Sequence, residues 1–446
     1  MSMTRVAGAA LAVALLVPAS ALAGSQKYPG PGDPGKVQPR KGGKAVTFIV
    51  CPKRKRGCNY TKIQKAIDKA RGGDTVKVRP GVYRENLKIT GKNKSELRLI
   101  GDPKKPDRVK LDGKTLKGVR AQNGLLINGA DDVTVSGFHA QNYKANGFFV
   151  TNVTGYKLTK LKAHLTGRYG IYAFNAKGGL MADSEAWYQN DSGFYIGQTP
   201  PQSKPKRSIV RNVEAYGNVI GFSGTNMKYV TITKSRWYNN GIGIVPNALD
   251  SEKYAPPEDN AIVDNDIFWN NFNYFAGAPF PVVAGATGDV AYPVGTGILL
   301  FGGQKHTIER NRIYGNYLMG VGAIKQILLE KSLKERPDAA DLKDNVVRNN
   351  DFDLGGKDLN GRDMFYDGSG SGNCFAGNTG ATTNVPADNS TFAACPFTGA
   401  NTFNGSAQGE AINWTVADPT HEAFWIRNPH APKPGYTPLE RYTEEK

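Results

Sequence analysis

Long apolar runs are almost missing from this 446-residue chain. Only residues 7–17 form one, and nothing later is apolar enough to span a bilayer, so a helical membrane protein is excluded. Histidine is scarce, five in all, and no two show metal-ligand spacing. His139 and His164 fall near the third segments of adjacent coils without being equivalent, and His306, His421 and His430 are scattered. Cysteine occurs four times, as two local pairs, Cys51 with Cys58 and Cys374 with Cys395. Four cysteines permit three pairings, and proximity favours two short disulfide loops. A zinc site, the alternative, lacks a nearby histidine pair. Acidic residues are depleted in one segment. Residues 24–120 hold 27 Lys and Arg against 8 Asp and Glu, whereas residues 121–446 hold 29 against 31. The formal charge of +18 therefore belongs to one end. A cationic end suits docking to an anionic cell-wall polymer, with a solvated surface lacking any partner as the other reading. No nucleic-acid module is recognisable.

The single apolar run has the grammar of an export signal. Arg5 supplies the positive start and Ala21-Leu22-Ala23 a small-residue cleavage site, so residues 1–23 read as a signal peptide. A membrane anchor would need roughly 20 apolar residues, more than the run provides. The expected mature protein is soluble, secreted or envelope-associated, and monomeric.

What the chain has is a period. Gly124, Gly147, Gly170 and Gly193 are each separated by 23 residues and introduce Leu-Leu-Ile, Phe-Phe-Val, Ile-Tyr-Ala and Phe-Tyr-Ile. Units of this length bury their apolar side only by stacking on copies of themselves. The first and third residues after each glycine, Leu125/Ile127, Phe148/Val150, Ile171/Ala173, Phe194/Ile196 and later Ile298/Leu300, face inward because strand side chains alternate. A second strand follows (Val133-Thr-Val-Ser, Tyr156-Lys-Leu-Thr), then a third ending in Asn-rich corners such as Trp237-Tyr-Asn-Asn. Asn212, Asn265, Asn311 and Asn349 recur after second strands, as stacked corner asparagines would.

Before the repeats, residues 24–45 read as a basic Gly/Pro/Lys-rich leader, and residues 46–120 as an N-terminal cap with the first coils. Ile63, Ala66, Ile67 and Ala70 share one helical face, with Asn59 or Thr61 as cap and Gly72-Gly73 as stop. This helix, followed by Gly-Asp-Thr-Val-Lys-Val-Arg-Pro-Gly-Val-Tyr-Arg-Glu85, resembles the opening of the pectin-lyase-like superfamily, which includes NosD-like repeat proteins. The resemblance implies an all-β, right-handed parallel β-helix of about ten coils whose helix plugs the open end. The solenoid is expected over 121–373, with loops inserted at 198–207, 246–260, 276–295 and 325–344. A disulfide-bearing cap and tail would fill 374–446, with Trp414, Phe424 and Trp425 covering the last coil and Lys433–Tyr436 as tail. Loops on both edges of the first-strand sheet would make a groove.

The second residue after each glycine points outward, and at three successive coils it is aromatic: Phe149, Tyr172 and Tyr195. Such a ladder is either a platform for sugar rings or a stabiliser of the sheet. Gln198, Asn226 and Asn247 complete the candidate substrate-binding set. Arg168 and Asp191 occupy equivalent positions one coil apart, which reads as a cross-coil ion pair or as chemistry. An enzyme acting on uronic acids needs a cation for the carboxylate and a base for the neighbouring proton, so Arg168, Asp191, Tyr172 and Tyr195 are the catalytic candidates. Asp250, Glu252, Glu258 and Asp259 could bind calcium or form a solvated turn; no other cofactor is expected.

Known enzyme signatures are missing. Gly81-Val-Tyr-Arg-Glu85 resembles the opening of pectin methylesterases, without their paired aspartate motifs downstream. The Gly-His-Gly of polygalacturonases, the Asp-Pro-His-Asp of alginate epimerases (Asn428-Pro-His-Ala431 is a fragment) and the Arg-x-Pro-x-x-Arg of pectate lyases are absent. Three functions stay open: a polysaccharide-binding protein, an uncharacterised polysaccharide lyase, epimerase or hydrolase, and a structural surface protein.

Overall fold

The computed structural model describes residues 43–249, 252–272, 274, 292–326, 337–356 and 360–416. The expected signal, most of the leader, Asp250, most of the 276–295 insertion, residues 327–336, His421, the 428–431 fragment, Phe424, Trp425, the 433–436 tail and the Trp414 side chain lie outside them.

The chain winds as a right-handed parallel β-helix. Eleven first strands form one sheet, from Leu87–Thr90 through Asn123–Asn128, Asn146–Thr151, Ile171–Phe174 and Ser192–Gly197 to Asn384–Val385. Seventeen second and third strands form the other large sheet. The two strand types merge into single long strands at Val133–Gln141, Tyr156–His164, Leu180–Trp187 and Ser208–Tyr216 and separate again afterwards. Registers follow the sequence period: Leu125 pairs Phe148, Phe148 pairs Ile171, and Ile171 pairs Phe194. These residues and their i+2 neighbours fill one continuous core with the second-strand residues Val135, Leu158, Met181 and Val210.

The glycine column has a steric cause. A Cβ at Gly147 would lie 2.7 Å from the Gly170 carbonyl oxygen and 3.2 Å from the Ala163 methyl. Corner and neighbouring coil approach too closely for any side chain. The same contact continues past the sequence period through Gly221, Gly243, Gly297 and Gly320, where insertions disturb the count.

Asparagines do stack at the corners. One ladder runs Asn218, Asn240, Asn270, Asn316 and Asn360, each carboxamide donating to the next side-chain oxygen at 2.9–3.2 Å. A second runs Asn265, Asn311, Asn350 and Asn378. Asn265 and Asn311 stack as the sequence pattern predicts. Asn349 gives way to Asn350, and Asn212 instead bonds Asp183 at 2.7 Å.

The plug helix α1 (Ile63–Lys69) buries Ile63, Ala66 and Ile67 against the first coil. Neither Asn59 nor Thr61 caps it. The Glu85 carboxylate accepts from the Ile63 and Gln64 amides at 3.0 and 3.1 Å, while Asn59 is turned to the Ile49 amide. At the other end Lys94 Nζ donates to the carbonyls of Ile67, Asp68 and Ala70. An anion at the N-terminus and a cation at the C-terminus both suit the helix dipole. The helix ends at Lys69, before the glycines.

Both local disulfides form, Cys51–Cys58 and Cys374–Cys395. At the C-terminal end a second helix, α2 (Gly405–Val416), lays Ala407 and Ala411 on an apolar cluster with Val245, Leu299 and Phe365. These three face out from the first-strand sheet, so this half of the sheet is covered on its outer side. No described helix is long and apolar enough to cross a membrane.

Candidate functional site

The outward column of the first-strand sheet places Phe149, Tyr172 and Tyr195 in register on adjacent strands. The expected exposed platform is not there. The three residues are 7, 8 and 2% exposed and form a separate cluster with Leu126, Tyr169 and Phe174. Phe149 and Tyr172 stack face to face at 4.4 Å, and Tyr195 meets Tyr172 edge-on at 4.9 Å. Tyr169 leans on both tyrosines at 4.5 and 4.7 Å. The ring faces pack against one another, as in a ladder that stabilises the sheet.

The inserted loop before residue 261 meets this cluster at Glu252. The Tyr195 hydroxyl donates to Glu252 Oε1 at 2.6 Å. Burial and the charge of Asp191 push the Glu252 carboxyl up to about 8, against the smaller opposing pull of the Tyr195 bond. Its second oxygen, Oε2, is buried with no hydrogen-bond partner. A proton carried there has no acceptor among the described residues.

Asp191 sits one coil corner away. Burial raises its carboxyl to about 6, while hydrogen bonds from Ser192 Oγ (2.7 Å) and the Tyr169 hydroxyl and the charge of Arg168 hold it down. Burial also raises the phenols of Tyr169, Tyr195 and Tyr292 well above their ordinary range, so these rings stay neutral. Burial thus raises both carboxyls, Glu252 further than Asp191. Environments that drive two carboxyls apart in this way suit one to take a proton and the other to give one.

The cross-coil ion pair expected between Arg168 and Asp191 does not form; a backbone bond, Asp191 amide to Arg168 carbonyl, joins them at 3.2 Å. The charge of the half-buried Arg168 acts on Asp191, with no ion pair to the guanidinium among the described residues.

Three other expectations are corrected by the loop's own anchoring. Asn226, fully buried, donates to the Leu249, Glu252 and Lys253 carbonyls at 2.6, 2.8 and 3.3 Å and accepts from the Leu249 amide. Gln198 accepts from the Lys253 amide at 2.9 Å. Asn247 accepts from Thr225. Asn226 and Gln198 thus hold the loop that carries Glu252, and Asn247 bonds across to the neighbouring strand. The calcium reading of the loop also loses its described ligands. Glu258 pairs with Lys305 (3.0 Å) and Lys228 (3.6 Å), Asp259 with Arg207, and Glu252 with Tyr195. Their carboxylates go to different partners, and no group of three acidic, His or Cys ligands gathers among the described residues.

Sequence reasoning missed Glu252 as the partner of Tyr195 and missed Tyr169 and Tyr292 altogether. Tyr169 follows Arg168 directly and precedes a repeat glycine, a position aromatic in this coil alone of the first four.

A family model described as a right-handed beta helix region matches residues 105–249. No curated protein sequence matches the chain. Among solved structures, the A-module of a mannuronan C-5 epimerase from Azotobacter vinelandii is similar at 14% identity and a TM-score of 0.48, over 71% of this chain and 89% of that one. A rhamnogalacturonan lyase is similar at 14% identity and 0.43, over 76% and 83%. A pectate lyase is similar at 16% identity and 0.41, over 77% and 78%.

Proposed function

We propose that the protein binds a carboxylated extracellular polysaccharide at the edge of its first-strand sheet and processes it by proton transfer. Asp191 is the base, Glu252 the acid, and Arg168 neutralises a uronate carboxylate so that the adjacent C–H proton can leave. Tyr195 and Tyr169 are positioning residues, each fixing one carboxyl by a hydrogen bond. The observation that carries this reading is the pair of carboxyls raised to about 6 and about 8 in one cluster. The Arg168 cation next to Asp191, which makes no ion pair among the described residues, favours a uronate over a neutral sugar. Two disulfides suit an oxidising, extracellular setting.

The test offers the purified protein a panel of polyuronates. Ultraviolet absorbance reports elimination and proton NMR reports inversion at C5. One polymer should be converted, and Asp191→Asn and Glu252→Gln should each slow conversion by roughly 10²–10⁴-fold. If both variants convert it at the wild-type rate, or no polyuronate is bound or changed by the wild type, the reading fails.

A further inference from the structure

The N-terminal plug carries a feature the candidate site does not use. Between Cys51 and Cys58 the chain reads Pro-Lys-Arg-Lys-Arg-Gly, and the disulfide closes these six residues into a ring. Lys53, Arg54, Lys55 and Arg56 are all exposed, and none makes an ion pair or side-chain hydrogen bond among the described residues. The ring is held at its base by the Cys51 amide on the Tyr60 carbonyl (3.0 Å) and the Asn59 amide on Ile49 (2.8 Å). Arg79, also exposed, donates its amide to Val50 and sets a fifth cation at the foot.

Two acids of this cap spend their carboxylates on backbone amides. Glu85 caps α1, and Asp74 accepts from the Val46 and Arg71 amides at 2.8 and 2.9 Å. Four adjacent cations within one Debye length, about 10 Å at 0.1 M salt, repel one another. A flexible segment would relieve that repulsion by spreading; a covalent ring forbids it. Concentrated, fixed charge with no ion pair among the described residues is complementary to a polymer with regularly spaced anions.

We propose that the Cys51–Cys58 ring is an anchoring site for a linear carboxylated polysaccharide, separate from the Asp191–Glu252 cluster. The choice of polymer rests on the function proposed above. The ring itself argues against the alternatives: it has no aromatic side chain on which nucleic-acid bases could stack and no large apolar one to enter a bilayer.

The experiment compares the wild type with K53Q/R54Q/K55Q/R56Q, whose exposed changes leave the core untouched; equal circular dichroism and melting temperature verify the fold. Affinity for immobilised polyuronate is measured across a salt series, and conversion of a short oligouronate is followed in parallel. The variant should bind the polymer roughly tenfold or more weakly, with a shallower salt dependence, and convert the oligomer at the wild-type rate. Wild-type polymer affinity and salt dependence in the variant would overturn the proposal. So would wild-type binding to DNA or to phosphatidylserine vesicles as tight as to polyuronate. Ring-dependent binding without conversion of any uronate would leave the anchor standing and reject the acid–base reading.

Discussion

Tyr195 and Glu252 are 57 residues apart, and no spacing rule connects them. The register of the tyrosine was legible because it follows the repeat; the acid was legible only as part of an acidic loop. What joins them is a fold-back set by Asn226, whose sequence position predicts a ligand contact and whose buried bonds go to the loop. At this scale the consequence is a pH profile. Conversion requires Asp191 ionised and Glu252 protonated, so kcat/KM should form a bell with limbs near the values of about 6 and about 8. The Tyr195 bond lowers Glu252, so Tyr195→Phe should move the alkaline limb upward. A limb that stays in place or falls would remove Glu252 as the acid. Stability should follow the same group. A carboxyl raised by folding binds its proton more tightly in the native state, so its contribution is full below its unfolded value and lost as pH rises through the folded one. The melting temperature should therefore decline between about pH 4.5 and 8, and Glu252→Gln should flatten that decline. Equal slopes in the two melting series would contradict the burial assigned to this carboxyl.

At the scale of the element, α1 shows where sequence reading stops. Its apolar face was plain from Ile63, Ala66 and Ile67, because helical periodicity is local. Its caps were not, because Glu85 and Lys94 come from the next coils and replace the usual serine, threonine or asparagine. The Gly81-x-Tyr-x-Glu85 stretch therefore has a structural purpose here: Tyr83 donates to the Arg79 carbonyl at 2.8 Å, and Glu85 locks the plug. Glu85→Ala should cost about 1–2 kcal/mol in denaturant unfolding, as the loss of a helix cap does. Glu85→Gln, which keeps an acceptor but loses the charge, should cost less. A loss under about 0.3 kcal/mol for the alanine variant would mean that water caps the helix as well. The glycine column belongs to the same scale. Gly147→Ala forces a methyl to 2.7 Å from a carbonyl oxygen, and overpacking of this kind costs about 1–3 kcal/mol.

Over the whole molecule, the β-helix was legible because coil stacking turns a sequence interval into a spatial neighbour. Cover was not legible, since it comes from segments outside the repeat. The loop carrying Glu252 reaches the aromatic ladder at Tyr195, and α2 closes the outer face further along. Between these covers the coils hold together by nearest-neighbour contacts, of which the asparagine ladders are the most directional. Asn270 stands in the middle of the longest one, accepting from the Asn240 amide and carboxamide and donating to Asn316 and the Trp237 carbonyl. Asn270→Ala would leave those buried groups unpaired, at about 1–3 kcal/mol each where nothing replaces the bond. In a quasi-one-dimensional fold that loss falls on one interface, so the molecule should open there first. Hydrogen exchange should speed up in the coils on both sides of residue 270, while the strands at Val133–Gln141 and Tyr156–His164 keep their protection. A uniform rise in exchange along the chain would instead show that the solenoid unfolds as one unit, with the ladder no weaker than the core beneath it.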